Sequence, residues 1–172
     1  VKAHYVVDHD LLAKAGKLIK DAKAPMIYFG IGAKDAAAEL KRVSEKYKMP
    51  LVSSVLAKGM LDEKYPAYLG SAGRVAPKPG AEIGFSTDLI VWVGTDVPFS
   101  IFLFNPDARV IQIDTDPEKM GSVITSTCRC CVMLKRLWQR WPTLQMKNRH
   151  LPFMMRHWPT SRTGWTGKTA LM

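Results

Sequence analysis

Three short apolar runs, each ending in or followed directly by glycine or aspartate, constrain the fold of this 172-residue sequence more than any other feature. They occupy residues 26–29, 88–94 and 109–114. Continuous apolarity without alternation is typical of strands that are buried on both faces of a parallel sheet. A weaker run at residues 50–54 predicts one further strand.

Helical patterns separate these runs. Residues 8–23 and residues 33–48 each repeat apolar side chains at helical spacing. The stretch 55–80 is rich in glycine and proline and predicts loops with little regular structure, except that a helix begins near Val75 and extends toward Ser86. Strands and helices in this alternation predict an α/β fold with a doubly wound parallel sheet, Rossmann-like in form.

The net charge of +10 is distributed very unevenly. Residues 1–120 contain 16 of the 25 basic residues and all 15 acidic ones, so this body is almost neutral. Residues 121–172 contain the other nine basic residues, no acid and four of the five tryptophans. The basic character therefore belongs to the C-terminal part alone, and nucleic acid is not the expected partner of the body.

The cysteines and the apolar runs indicate the type of protein. Cys128, Cys130 and Cys131 have C-x-C-C spacing with no second cluster, which favours incidental thiols over a metal site. No apolar run reaches the length of a membrane span, and the N-terminus lacks a signal pattern. We expect a cytoplasmic protein that does not associate with a membrane.

The first strand leads into Gly30-x-Gly32, at the place where open parallel sheets bind ligands. Glycines there let the backbone approach a phosphate, and the N-terminus of the following helix favours negative charge. Asp35 stands where the full dinucleotide motif has its third glycine. A tight turn without a ligand is therefore an equal alternative.

Three charged side chains are further candidates for nucleotide binding. Asp114 and Asp116 end a strand on the same side of the chain and could accept hydrogen bonds from ribose or adenine, or cap a helix that starts at Pro117. Arg74 lies in a flexible, glycine-rich segment and could contact a diphosphate, or be a solvated surface residue. No catalytic motif accompanies them, so we predict a binding domain without catalytic residues.

Five segments together resemble the central, FAD-binding domain of the pyruvate oxidase family of thiamine-diphosphate-dependent enzymes, over residues 8–121. The segments are Tyr28-Phe29-Gly30-Ile31-Gly32-Ala33, Ala57-Lys58-Gly59-Met60, Tyr65 to Ala76, Val93 to Phe99, and Gln112 to Pro117. Acetolactate synthase and other thiamine-diphosphate enzymes share this fold, so the resemblance identifies the superfamily more firmly than the subfamily.

The resemblance implies a six-stranded parallel sheet that binds FAD in an extended pose. Gly30 and Gly32 would approach the diphosphate, Arg74 would pair with phosphate or flank the flavin, and the two aspartates would hold the adenosine. The full set of implied cofactor-binding residues is Gly30, Gly32, Ser54, Gly70, Ser71, Arg74, Gly94, Thr95, Phe99, Asp114 and Asp116. Another adenine nucleotide in place of FAD is an alternative.

The resemblance also implies the chemistry of the full enzyme, in which pyruvate, phosphate and oxygen yield acetyl phosphate, carbon dioxide and hydrogen peroxide. Thiamine diphosphate and Mg²⁺ would be bound by an N-terminal and a C-terminal domain that this sequence lacks. We therefore expect a truncated chain that is inactive alone, whose partners are the other domains of a homotetrameric enzyme.

The resemblance ends at Gly121, and residues 122–172 are expected to form an irregular, disordered tail. Permitted codons for residues 121–130, read one base out of frame, encode Lys-Arg-His-His-Leu-Asp-Val-Ser-Met-Leu, and a helix of the Asp-Ala-Lys-Lys-Ala-Leu type follows. We interpret the tail as the product of a frameshift near codon 121. A genuine basic tail that binds nucleic acid through its charges and tryptophans is the alternative, which the lack of acids makes less favourable.

Overall fold

The computed structural model describes residues 9–72, 77–95, 101–119 and 128–131. The strands and helices are, in chain order, α1 His9–Asp21, β1 Pro25–Phe29, α2 Ala37–Tyr47, β2 Leu51–Ser53, β3 Tyr68–Ser71, α3 Lys78–Ser86, β4 Leu89–Val93, β5 Arg109–Asp114 and β6 Cys128–Cys131. In the part of the chain that the structure describes, no helix has the length and apolarity needed to cross a membrane.

The six strands form one sheet in the order β3-β2-β1-β4-β5-β6, and every neighbouring pair is parallel. The order reverses direction between β1 and β4, which pair over their full length. This confirms the predicted doubly wound α/β sheet. It also places the topological switch point, where such sheets bind ligands, at the ends of β1 and β4.

Helices cover both faces of the sheet, which explains the unbroken apolar runs in the sequence. All five residues of β1 and all five of β4 are buried. On one face, α1 and α2 contribute Leu12, Ile19, Leu40 and Tyr47 to the core. A strand buried on both faces needs apolar side chains at every position, so alternation disappears.

The second face carries an aromatic cluster beneath α3. The Tyr28 ring lies 4.6 Å from the Trp92 ring and 5.0 Å from the Phe104 ring, centroid to centroid, in edge-to-face arrangements. Ile83 of α3 is buried in the same core. Edge-to-face aromatic pairs are favourable beyond their buried area, so these contacts fix the ring planes close to the switch point.

The structure differs from the sequence prediction at β3. Residues 68–71 were expected to be loop, and Gly70 and Ser71 part of a flexible segment, but they form an edge strand that pairs with β2. The Tyr68 hydroxyl lies 2.7 Å from the buried Ser53 hydroxyl, which ties the two strands together. The strand has only four residues, and one of them is a glycine with φ of 91°. A segment this short contains too few residues for a strand-like pattern of apolar side chains to be recognised.

Two further elements differ from expectation. The helix expected over 33–48 begins as a 3-10 turn at Ile31–Ala36 and becomes an α-helix only from Ala37. Cys128–Cys131 forms a strand, although these residues were expected to belong to an irregular tail. The strand pairs with β5 from Ile111 to Asp114, and backbone hydrogen bonds of this kind do not depend on the side chains.

We expect Gly80→Ala to destabilise the fold. A Cβ at residue 80 would lie 2.5 Å from the Ser71 carbonyl oxygen, where α3 packs on β3. Overpacking of this kind costs about 1–3 kcal/mol, which outweighs the higher helix propensity of alanine. The control Glu82→Ala, which removes an exposed contact with Lys78, should cost less than about 1 kcal/mol. If the two variants had equal urea midpoints, the predicted clash between residue 80 and the Ser71 carbonyl would be wrong.

Candidate functional site

The predicted ligand-binding residues lie along the carboxyl edge of the sheet, because all the strands are parallel. From β3 to β5 they follow in the order Gly70 and Ser71, Ser54, Gly30 and Gly32, Gly94 and Thr95, then Asp114 and Asp116. At a strand spacing of about 4.8 Å this edge is roughly 19 Å long, which suits an extended dinucleotide. Arg74 and Phe99 lie outside the described residues.

The glycine turn after β1 is held by hydrogen bonds to β4 and its turn. The Gly30 N–H donates to the Val93 carbonyl at 2.9 Å, and the Gly32 N–H donates to the Gly94 carbonyl at 2.9 Å. The Ala33 N–H donates back to Gly30 at 3.0 Å. The backbone donors that the sequence suggested for a phosphate are therefore used within the protein at these three residues.

Close packing of the two turns explains why glycine occupies these positions. A Cβ at Gly32 would lie 2.8 Å from the Gly94 carbonyl oxygen, and a Cβ at Gly30 would collide with the Thr95 side chain. Gly94 has φ of 55°, and a Cβ there would lie 2.7 Å from the carbonyl carbon of Gly32. The structure thus supports the tight-turn interpretation of Gly30-x-Gly32 as its first role. The N–H groups of Gly30, Gly32 and Ala33 are engaged within the protein and are not free for a diphosphate.

The two aspartates at the end of β5 act as turn and helix caps. One oxygen of Asp114, Oδ1, accepts the N–H groups of Thr115 at 2.7 Å and Asp116 at 3.1 Å. In the same way Asp116 Oδ1 accepts the N–H of Glu118 at 3.0 Å and caps the 3-10 turn Pro117–Lys119. Within the described ranges each carboxylate keeps its Oδ2 without a partner, so capping leaves an acceptor for a ligand hydroxyl.

Ser54 and Thr95 line the middle of the edge in different ways. The backbone N–H of Ser54 donates to the Phe29 carbonyl at 2.8 Å. The Ser54 residue is only 7% exposed, and its hydroxyl has no hydrogen-bond partner in the part of the chain described. The Thr95 carbonyl accepts the indole N–H of Trp92 at 2.9 Å, so the aromatic cluster holds the β4 turn in place.

A cavity of about 220 Å³ lies at the opposite, amino edge of the sheet, and none of the predicted site residues that the structure describes lines it. Among the residues that line it are Glu45, Lys48, Met49 and Tyr65. The Tyr65 hydroxyl donates to Glu45 at 2.9 Å, and burial together with this carboxylate raises the pKa of Tyr65 to about 12. The cavity is smaller than those that hold dinucleotides, and it does not compete with the carboxyl edge as the candidate site.

The sequence matches the family described as "Thiamine pyrophosphate enzyme, central domain" over residues 12–137. This chain belongs to that family. The matched region continues past residue 121, where the sequence resemblance was expected to end, and includes β6.

Curated relatives of this thiamine pyrophosphate enzyme central domain include pyruvate oxidase from Lactiplantibacillus plantarum, 45% identical over 102 residues that cover 58% of this chain and 17% of the relative. Acetolactate synthase from Arthrospira platensis is 32% identical over 117 residues, or 63% of this chain and 20% of the relative. The chain therefore spans about a fifth of the length of these relatives, and both enzyme types are among them.

The fold of the domain also matches a solved structure from Mycobacterium smegmatis, assigned as a thiamin diphosphate-dependent enzyme. The two structures superpose with a TM-score of 0.61 over 89% of this chain and 32% of the other, at 23% sequence identity. At this identity the likeness establishes the fold alone, which agrees with the predicted central-domain architecture.

We expect Gly94→Ala to cost more stability than Gly59→Ala. Both glycines have positive φ, 55° and 87°, but only Gly94 contacts another backbone segment, since nothing lies within 4 Å of a Cβ at Gly59. The left-handed conformation alone should cost about 1–2 kcal/mol in Gly59→Ala. The clash with Gly32 should add about 1–3 kcal/mol in Gly94→Ala. Urea unfolding measures both, and equal losses would show that the two turns are not in contact.

Proposed function

We propose that this chain is the FAD-binding central domain of a pyruvate oxidase, with FAD extended along the carboxyl edge of the sheet. The observation that carries the proposal is the state of Asp114, whose carboxylate is fixed by two N–H groups at one oxygen and has an available acceptor at the other. Carboxylates in this position accept hydrogen bonds from ribose hydroxyls. The 45% identity to a pyruvate oxidase supports the assignment to that enzyme type, and FAD is the cofactor that the sequence resemblance implies.

In this proposal the chain binds and orients the cofactor. Asp114 and Asp116 accept hydrogen bonds from the adenosine ribose at the β5 end. Ser54, Gly70, Ser71, Gly94 and Thr95 line the groove between that end and β3, with Phe99 as a further lining residue. Arg74 neutralises the diphosphate by pairing its guanidinium with phosphoryl oxygens.

Bound FAD would supply the two-electron oxidation in a reaction that turns pyruvate, phosphate and oxygen into acetyl phosphate, carbon dioxide and hydrogen peroxide. We assign thiamine diphosphate and Mg²⁺ to parts of the full enzyme other than this chain, and those parts, in a homotetramer, would be its partners. One competing assignment is acetolactate synthase activity of the full enzyme, which relatives of that type support. Another is that ADP binds in place of FAD.

The purified chain should bind FAD and have the yellow colour of a flavoprotein, and Asp114→Ala should weaken FAD binding about tenfold through loss of a charge-assisted hydrogen bond. Arg74→Ala should weaken it as well. Asp107→Ala, which removes an exposed carboxylate on the loop before β5, serves as the matched control and should leave the Kd unchanged. Isothermal titration calorimetry gives the Kd of FAD for the wild type and the three variants. Binding of ADP but not of FAD would favour the adenine-nucleotide alternative.

Pyruvate-dependent peroxide formation tests the assignment of catalysis to other parts of the enzyme. We expect none from this chain with added FAD, thiamine diphosphate and Mg²⁺, because no residue in the proposed groove activates thiamine. Peroxide formation by the purified chain would contradict the proposed division of roles.

We also propose that residues beyond about 121 are encoded in a shifted frame and contribute no function. The complete lack of acids among nine basic residues supports this interpretation, as does the helical sequence that the other frame permits. Sequencing the coding DNA through codon 121 tests it. A shifted frame that encodes the Asp-Ala-Lys-Lys-Ala-Leu type of helix is expected, and the lack of such a frame would overturn the proposal.

If the present frame is genuine, a basic tail that binds nucleic acid becomes the second candidate, since residues 121–172 carry only positive charge. Deletion of residues 132–172 is the appropriate variant, because it removes most of this charge and keeps β6 in the sheet. Salt-dependent binding of DNA or RNA by the full chain, lost in the deletion, would support that function.

A further inference from the structure

Two phenylalanines on neighbouring elements are exposed, and the proposed function uses neither of them. Phe85, in the last turn of α3, is 54% exposed, and Phe102, in the 3-10 turn Ile101–Leu103, is 63% exposed. Phe85 follows Gly84 and Phe102 precedes Leu103, and a Cβ on Gly84 would lie only 2.8 Å from the Leu103 carbonyl oxygen. The two side chains therefore start on either side of one close backbone contact, and we call this surface the Phe85–Phe102 patch.

Hydrogen bonds join the two elements that carry the patch. The Asn105 N–H donates to the Gly84 carbonyl at 2.9 Å, and the Asn105 side-chain amide donates to the Thr87 carbonyl at 2.8 Å. Below them, the Phe104 ring packs against the Tyr28 ring in the core. The backbone under the patch is thus fixed before any partner arrives, and a surface of this kind loses little conformational entropy on binding.

Exposed aromatic side chains favour a protein as the partner. Aromatic residues are enriched at protein interfaces relative to the rest of the surface and contribute strongly to binding there. The charges near the patch are paired, since Lys78 lies 3.6 Å from Glu82 on α3, and Arg109 lies 4.0 Å from Asp88. Among the described residues, this rim therefore has no block of one charge that would attract nucleic acid or repel an identical surface.

The course of the chain places the patch away from both ends of the described domain. The helix α1 runs toward the amino edge of the sheet, where the Asp88 carboxylate accepts the two N–H groups that follow it, at 2.7 and 2.8 Å. Its first residue, His9, therefore lies toward the carboxyl edge, and β6 also ends there, at Cys131. Phe85 lies toward the amino edge, because α3 ends at Ser86 just before β4 begins.

This geometry distinguishes between two possible occupants of the patch. The chain covers 17% of the pyruvate oxidase that it matches, so most of a full enzyme of that type lies outside it. Domains joined closely to either end of this chain would lie at the carboxyl edge and leave the patch uncovered. A second copy of the chain has no such restriction. Across a twofold axis, Phe85 of one copy meets Phe102 of the other, which gives two equivalent aromatic contacts.

We propose that the Phe85–Phe102 patch is a self-association surface, on which a second copy of this chain docks across a twofold axis. Two phenylalanines bury about 150–250 Å² each at most. Stable interfaces bury about 800 Å² per partner, so the dimer of this chain is weak and reversible. The inference does not rest on nucleotide binding, because the patch lies away from the carboxyl edge.

Sedimentation equilibrium of the full chain over a range of concentrations tests the proposal. We expect the mass to rise reversibly from 19.2 kDa toward twice that value. Phe85→Asp and Phe102→Asp each place a charge in the contact and should raise the dimer Kd at least about tenfold. Leu56→Asp is the matched control, because it makes the same kind of change at a side chain that is 80% exposed just after β2. It should leave the dimer Kd unchanged.

Thermal unfolding shows whether the variants are folded. Both phenylalanines are more than half exposed, so each variant should keep a Tm close to that of the wild type. If one variant does not fold, the other, on a separate element, still decides the outcome. A wild type that stays monomeric at every concentration would overturn the proposal. Association that persists in the folded phenylalanine variants, or that Leu56→Asp weakens equally, would overturn it as well.

Discussion

The contact between the turn after β1 and the turn after β4 is the constraint on which the rest of the structure depends. Two hydrogen bonds join the turns, from Gly30 to Val93 and from Gly32 to Gly94, and three glycines remove the side chains that would separate them. The contact fixes the switch point of the sheet. The candidate ligand residues that the structure describes take their places along the edge relative to this point.

This arrangement changes how the glycine motif is understood. In dinucleotide-binding turns, glycines let the backbone reach a phosphate. Here the same residue type serves backbone-to-backbone packing, and the donors at Gly30 and Gly32 face the protein. We therefore assign the proposed binding at this edge to side chains, above all to the second carboxylate oxygens of Asp114 and Asp116, which have no partner among the described residues. A glycine motif alone is therefore weak evidence for a phosphate site.

The aromatic cluster of Tyr28, Trp92 and Phe104 lies below the switch point. Trp92 contacts the Tyr28 and Phe104 rings and also holds the Thr95 carbonyl through its indole N–H. The cluster thus packs the core and fixes the β4 turn with the same side chains. The chain belongs to the family of thiamine pyrophosphate enzyme central domains and covers 17% of the much longer pyruvate oxidase that it matches.

The sequence by itself determined the fold class and the strands β1, β4 and β5, because burial on both faces leaves a continuous apolar run that local reading detects. Its motifs also determined the family. Only the tertiary structure decided that residues 68–71 form a strand and that the N–H groups of Gly30 and Gly32 are already bonded. Each of these depends on partners such as Ser53 or Gly94, distant along the chain, and hydrogen bonds between such partners leave no local pattern in sequence.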